Sequence, residues 1–430
     1  MKFNEQYTVE NHVIKYISES LGYEYIKPEE FSKLREFENE YIVTPLLLEA
    51  LKRINGVEDE EAFNVIREIK KIDTNEGFLN LYRNGVDIVD LATQRTKNYR
   101  VIDWSETDRD SSSPRGSLGM TSKNQFVVTN QFYFEGSSEN IRPDIMIFLN
   151  GLPLVDIEAK SPTASSSVNF ENAIDQIKRY ERVAWKLFIP NCFNIVTDGL
   201  KTKYGPTYAA KQYFAQWRDS EPSPRPLPRG EEDEDELEMT LRALLSKERL
   251  LDIIQNFIVF EKQKEKTIKE MCRYQQMRAT NKIVERVQEG NKKRGLIWHT
   301  QGSGKSLTMF FTAWKLRFAP ELKNPKVFVL VDRTDLDDQI FNTFINCGGQ
   351  NVVSVESKRD LAKKITNEER GIFISTVQKF NDLPEGVQND SENIVVLCDE
   401  GHRSNEGFAS INLRASMKNA FFLWLYWYAN

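Results

Sequence analysis

The chain has 430 residues, 40% of them hydrophobic, which is material for two or three domains with cores of their own. Its net charge of −6 excludes a bulk positive field, so any surface for nucleic acid has to be local. Four scattered cysteines (Cys192, Cys272, Cys347, Cys398) have neither metal-ligand spacing nor disulfide density and fit a reduced, cytoplasmic protein. The polar start MKFNEQYTVENHV does not read as a signal peptide, and the lipophilic run at 420–429 is far short of the roughly 20 residues a membrane helix needs.

In chain order, residues 9–21 place Val9, Val13, Ile14, Ile17 and Leu21 on one helical face, and Gly22 closes that helix. Glu10 falls in its first turn, where the helix dipole favours a carboxylate. From 28 to 98 the pattern is mostly helical and charged, and a Ser-rich stretch at 105–123 reads as an exposed loop. QFVVTNQFYF (125–134) and PDIMIFLNGLPLVDIEAKSP (143–162) read as strands, the second a hairpin turned at Asn150-Gly151. A helix over 169–184 carries Gln176 and Tyr180 four apart, on one face. FNIVTDG (193–199) is strand-like, and a helical region ends near Trp217. Prolines and then an acidic run mark 219–238 as a linker. The amphipathic stretch 241–261 reads as a bridging helix packed between domains, with a partner-binding helix as the alternative. From about 267, strands and helices alternate through GLIWH, VFVLVD, GIFISTV and NIVVLCD, which predicts a parallel sheet with sites at the strand C-termini.

Two stretches carry chemistry. Asp144 starts one strand of the hairpin, and Glu158 and Lys160 end the next, matching the PD…(D/E)xK pattern of metal-dependent nucleases. Two carboxylates brought together across a hairpin can hold Mg²⁺, which neutralises a scissile phosphate and lowers the pKa of a bound water. Glu158 and Lys160, two apart on a strand, share a face, so the ammonium can approach that water. The same residues would also suit a surface hairpin with a Glu–Lys pair. The second stretch is GLIWHTQGSGKSL (295–307), a strand, a Gly/Ser loop and a helix. That is the layout of a phosphate-binding loop: the backbone of Gly302, Ser303 and Gly304 turns toward the phosphates, Lys305 adds a point charge, and the Ser306 hydroxyl ligates Mg²⁺. Its first position is His299 where glycine is usual. Near residue 399 a buried strand ends in Asp399-Glu400, with Asp399 reaching the metal through its water shell and Glu400 acting as general base. Loop and carboxylates together point to a nucleotide-binding RecA-like core.

The motifs and their order resemble the restriction (R) subunit of type I restriction-modification enzymes, whose motor belongs to helicase superfamily 2. The resemblance makes Asp144, Glu158 and Lys160 the nuclease triad, Gln176 and Tyr180 its QxxxY motif, and Glu10 the acidic residue of the first nuclease helix. RYQQMRATNKIV (273–284) is similar to the adenine-reading segment, with Gln276 as the base-reading amide and Gln275 the alternative. IWHTQGSGKS matches motif I, VDRTDLDDQ motif Ia and DEGHRS motif II. The implied fold is α/β, with a PD-(D/E)xK nuclease domain over 1–218, a linker and bridging helix over 219–265, and a first RecA-like lobe over 266–430. The implied activity is Mg²⁺-dependent cleavage of double-stranded DNA coupled to ATP-dependent translocation, with modification (M) and specificity (S) subunits as partners. After Phe422 the chain reads LWLYWYAN where the family has a segment like YGFTGTP, and a one-base shift of reading frame converts one into the other. A truncated, motor-incompetent form is therefore expected, with Phe421, Phe422, Trp424, Leu425, Trp427 and Tyr428 as an exposed apolar patch. The rival from another class is a non-catalytic remnant that binds nucleotide and DNA.

Overall fold

A computed structural model describes residues 6–90, 94–106, 123–161, 166–218, 235–263, 266–300, 304–332, 334–381, 383–399 and 408–428. The chain forms two compact units, Met1–Ile258 and Val259–Asn430.

The first unit is built on a mixed six-stranded sheet of β1 (Glu24–Tyr25), β2 (Phe126–Asn130), β3 (Ile145–Leu149), β4 (Leu152–Ala159), β5 (Phe193–Thr197) and β6 (Thr202–Pro206), in that spatial order. Pairs β1–β2 and β4–β5 are parallel and the others antiparallel. The β3–β4 turn has positive φ at both Asn150 (53°) and Gly151 (81°), the conformation of a type I′ hairpin. A side chain at Gly151 would also collide with the Val43 carbonyl at 2.6 Å. Every residue of β3, β4 and β5 is buried, so polar residues on these strands face the interior. Helix α1 (Gln6–Lys15) buries Val9, Val13 and Ile14, and a π-helical turn carries the chain on to Gly22. Helix α2 (Ser166–Val183) lies over β4 and β5.

Several expectations shift. Helices fill Thr44–Asn55, Asp59–Ile69 and Asn75–Asn84, but Val86–Asp90 and Arg95–Tyr99 pair as an antiparallel ribbon. The region ending near Trp217 is β6 followed by a single 3₁₀ turn, Lys211–Tyr213, rather than a helix. Most of 105–123 and of the Pro-rich run lies outside the described residues. The amphipathic stretch is two helices, α3 (Glu236–Leu245) and α4 (Lys247–Asn256), broken at Ser246. Both belong to the first unit, where Leu241, Leu244, Leu250, Leu251 and Ile254 are fully buried.

The second unit opens within a ribbon, Ile258–Gln263 against Lys266–Met271, followed by helix α5 (Tyr274–Glu289). Its sheet comprises β7 (Arg294–Thr300), β8 (Lys326–Val331), β9 (Val352–Ser354), β10 (Ile372–Thr376), β11 (Ile394–Asp399) and β12 (Phe421–Tyr428). The strand order is β7-β12-β11-β8-β10-β9 and every pairing is parallel, as the alternation of strands and helices predicts. Helix α6 (Lys305–Phe318) follows β7.

The aromatic tail departs from expectation. It is not an exposed patch: β12 inserts between β7 and β11, and Phe421, Phe422, Leu423, Leu425 and Tyr426 are buried. A run of bulky residues in a central parallel strand is covered on both faces, at about 1.5–3 kcal/mol per large apolar side chain. Trp424 packs partly buried against the core around Phe422 and Val396, and the side chains of Trp427 and Tyr428 lie outside the described residues.

Candidate active and nucleotide sites

On the first unit's sheet, Ile145 pairs with Ile157 across the hairpin, so Asp144 and Glu158 occupy the next opposed row. The row is closed by hydrogen bonds: Ala159 N donates to Asp144 Oδ2 (2.9 Å), and Asp144 N reaches Glu158 Oε1 (3.4 Å). Lys160 Nζ stands 3.3 Å from Glu158 Oε2 and 3.9 Å from Asp144 Oδ2, which keeps both carboxylates beside one ammonium. Gln176 on α2 bridges the group. Its amide nitrogen donates to Glu158 Oε2 (2.6 Å) and Tyr180 Oη (2.8 Å), and its oxygen accepts from Lys160 Nζ (2.8 Å). The four-residue spacing of Gln176 and Tyr180 is what lets one helix present both.

Glu10 is also here, and not as a solvated end of a helix. It is 2% exposed and accepts from Asn130 Nδ2 (2.7 Å) and Gln131 Nε2 (3.1 Å). Gln131 Nε2 also approaches Asp144 Oδ1 (3.4 Å), linking Glu10 to the triad. Burial raises the Glu10 pKa, opposed by the Asn130 hydrogen bond. Glu158 is held well above the usual carboxylate range, first by burial and then by Asp156 and Asp144. The Tyr180 phenol is pushed up to about 12 by burial and by Glu158, so at neutral pH it stays protonated. Asn130, Gln131 and Asp156 are the residues that sequence reasoning missed. The available signal was polarity where a buried strand should be apolar: Asn-Gln closing FVVTNQ, and an acid inside LPLVDIEA. An all-oxygen donor set of clustered carboxylates suits a hard divalent cation.

In the second unit β7 ends at Thr300, and Gly302, Ser303 and Glu400 lie outside the described residues. Gly304 follows at φ +78°, a left-handed conformation that glycine tolerates, and a Cβ there would meet the Gln276 amide. Lys305, 3% exposed, opens α6 and forms an ion pair with Asp399 at the C-terminal end of β11. Ser306 is the next residue of that first turn and is half-buried. Both ends of the Gln276 amide are engaged, with the oxygen accepting from Arg273 N (2.7 Å) and the nitrogen donating to Gly304 O (3.0 Å). Gln275 Oε1 is buried and accepts no hydrogen bond from a described residue. His299 is depressed to about 4 by burial and then by the Lys305 charge, so it is neutral.

Two family descriptions match this chain. Residues 2–213 match the Type I restriction enzyme R protein N terminus, and residues 275–425 match the SWI2/SNF2 ATPase. The chain is also 33% identical over 388 residues to the type I restriction enzyme HindI endonuclease subunit of Haemophilus influenzae. The chain is a relative of the type I restriction endonuclease subunits. A second such subunit, the putative MjaIXP endonuclease subunit of Methanocaldococcus jannaschii, is 29% identical over 461 residues. The two alignments take in 84% and 98% of this chain but only 35% and 42% of the relatives' own lengths. The UvsW helicase from bacteriophage T4 overlays loosely, with a TM-score of 0.29 at 19% identity, covering 39% of this chain and 56% of its own. No helix among the described residues is long and apolar enough to cross a membrane.

Proposed function

We propose that the first unit of this restriction-subunit relative is a Mg²⁺-dependent DNA endonuclease centre. In this reading Asp144 and Glu158 are the metal ligands, Lys160 is the catalytic cation, and Gln176, Tyr180 and Glu10 surround them. The carrying observation is the opposed row of Asp144 and Glu158, both beside Lys160 Nζ. A cation held there supplies charge neutralisation at the scissile phosphate and a more acidic bound water. The protein's own part is orientation. The backbone of Ala159 fixes Asp144, and Gln176 holds Lys160 and Glu158 at a set separation. Tyr180, neutral at physiological pH, supports the Gln176 amide without adding charge.

The second unit, in the same reading, binds ATP with Mg²⁺: Lys305 and the Gly302–Gly304 backbone at the phosphates, Ser306 and Asp399 at the metal, Glu400 as general base. Of the two amides the sequence offers for adenine, Gln275 has the acceptor to spare, whereas Gln276 braces Gly304. The whole protein would translocate double-stranded DNA and work with modification and specificity subunits, which supply the recognition this chain does not encode.

The deciding experiment is cleavage of supercoiled plasmid by the purified chain with Mg²⁺. Asp144→Asn and Glu158→Gln should each lower the rate by about 10²–10⁴, the scale of a lost catalytic group. Wild-type cleavage that persists in both variants would refute the assignment.

A further inference from the structure

Behind the Asp144–Glu158 row, the sheet holds one more acid. Asp156 sits two residues before Glu158 on β4 and therefore on the same face. It is paired across the sheet with Met146 on β3 and Asn194 on β5, so it is a diagonal neighbour of Asp144. Asp156 and Asn194 are both 0% exposed. Neither Asp156 oxygen accepts a hydrogen bond from a described group, and the Asn194 side-chain oxygen accepts none either. Reversing the Asn194 amide does not help. Its nitrogen donates to Glu181 Oε1 (3.3 Å), and a flip would set the oxygen against that carboxylate.

Three adjacent buried acceptors with no donor are costly, and carboxylate oxygens among them ask for a cation or a proton. The lysines at hand are engaged. Lys160 is bonded to Glu158 and Gln176, and Lys178 is paired with Glu181 at 2.7 Å. Asp144 and Glu158 already share the Lys160 ammonium, and no described lysine or arginine lies within ion-pair distance of Asp156. A phosphate arriving there adds further negative charge, which a second cation would offset.

We propose that Asp156, with the Asn194 side-chain oxygen, forms a second divalent-cation position directly behind the Asp144–Glu158 pair, so that the centre holds two hard cations. The inference rests on the nuclease reading of that pair. Its oxygen-only donors suit Mg²⁺ or Mn²⁺ rather than a thiophilic or imidazole-seeking metal.

The test is Mn²⁺ binding to the full chain without nucleotide, followed by electron paramagnetic resonance of free and bound ion. Wild type should bind one more Mn²⁺ than Asp156→Asn, or bind it about tenfold or more tightly. Spin coupling between paired ions should vanish in the variant. Asn194→Ser should weaken the same ion and serves in place of Asp156→Asn if that variant does not fold. Unchanged Mn²⁺ number, affinity and coupling in these variants, with ions lost in Asp144→Asn, would mean that Asp156 is a neutral buried acid. The second position would then be refuted and the nuclease centre would stand. Binding equally unaffected by Asp144→Asn would refute the metal-centre reading itself, and with it this inference.

Discussion

The two sheets carry their polar groups in different places. In the first unit the acids stand on the face of the strands, opposed across a hairpin and roofed by α2. In the second, Lys305 and Asp399 sit at strand ends, because a parallel sheet covered on both faces has no room for polar chemistry in its middle. Strand register alone fixes Asp144 against Glu158, whereas Lys305 and Asp399 are brought together from the start of α6 and the end of β11. The face-built centre is tied together by Gln176, Lys160 and backbone N–H groups. The end-built site relies on two opposite charges neutralising each other.

That difference predicts unequal responses to losing one group. Lys305→Met leaves Asp399 buried without its cation, which should cost about 3–5 kcal/mol and abolish nucleotide binding. Adding Asp399→Asn should return most of the stability and none of the binding. Urea unfolding of both proteins, with a fluorescent ATP analogue as ligand, reads the two effects separately. Equal stability of the single and double variants would show that the pair is not a mutual counter-ion.

At the face-built centre the corresponding loss is smaller, because several partners share the load. Gln176→Leu removes hydrogen bonds to Glu158, Lys160 and Tyr180 and should cost about 1–3 kcal/mol. Tyr180→Phe, which deletes one hydroxyl, should cost about 1 kcal/mol or less. If the two variants unfold at the same urea concentration, the amide is not the hub of this centre.

Much of this was legible in the sequence, for physical reasons that differ by region. Asn-Gly between two apolar runs specifies a type I′ turn, and the turn sets the register that opposes Asp144 and Glu158. The GSGKS segment and the apolar runs of the second unit gave strands in the right places because buried parallel strands have little other way to be written. What escaped was tertiary. The ribbon at 86–99 has too little hydrophobic alternation to stand out from a charged helical region. An aromatic run with no polar positions has no period, so LWLYWY could not be told from an exposed tail until its neighbours β7 and β11 were seen. Asp156 is hidden in the sequence because a single acid in a strand reads as solvent-facing unless both sheet faces are known to be covered.

The finest distinction between the regions is the sign of their pH dependence. His299 is depressed from 6.5 to about 4. Between those values the unfolded chain binds the proton and the folded one does not, so its contribution to stability is complete above 6.5 and is lost as pH falls toward 4. For Glu158 and Asp156 the folded pKa is raised instead, so the folded first unit holds protons that the unfolded chain has released. Their contribution is complete below the ordinary carboxylate values and is lost as pH rises through the raised folded values. The second unit should therefore gain relative to His299→Gln on going from pH 4.5 to pH 7, by about 1–3 kcal/mol. The first unit should lose relative to Glu158→Gln over the same interval. Hydrogen exchange measured by mass spectrometry follows peptides of β8 and β4 separately in one sample. Burial is the larger cause of the His299 shift and the Lys305 charge the smaller, so the slope should shrink but persist in the Lys305→Met, Asp399→Asn double variant. Slopes of the same sign in both units would show that the acids of the first sheet are ionised and paired, and that its face-built centre is charged in the way the end-built site is.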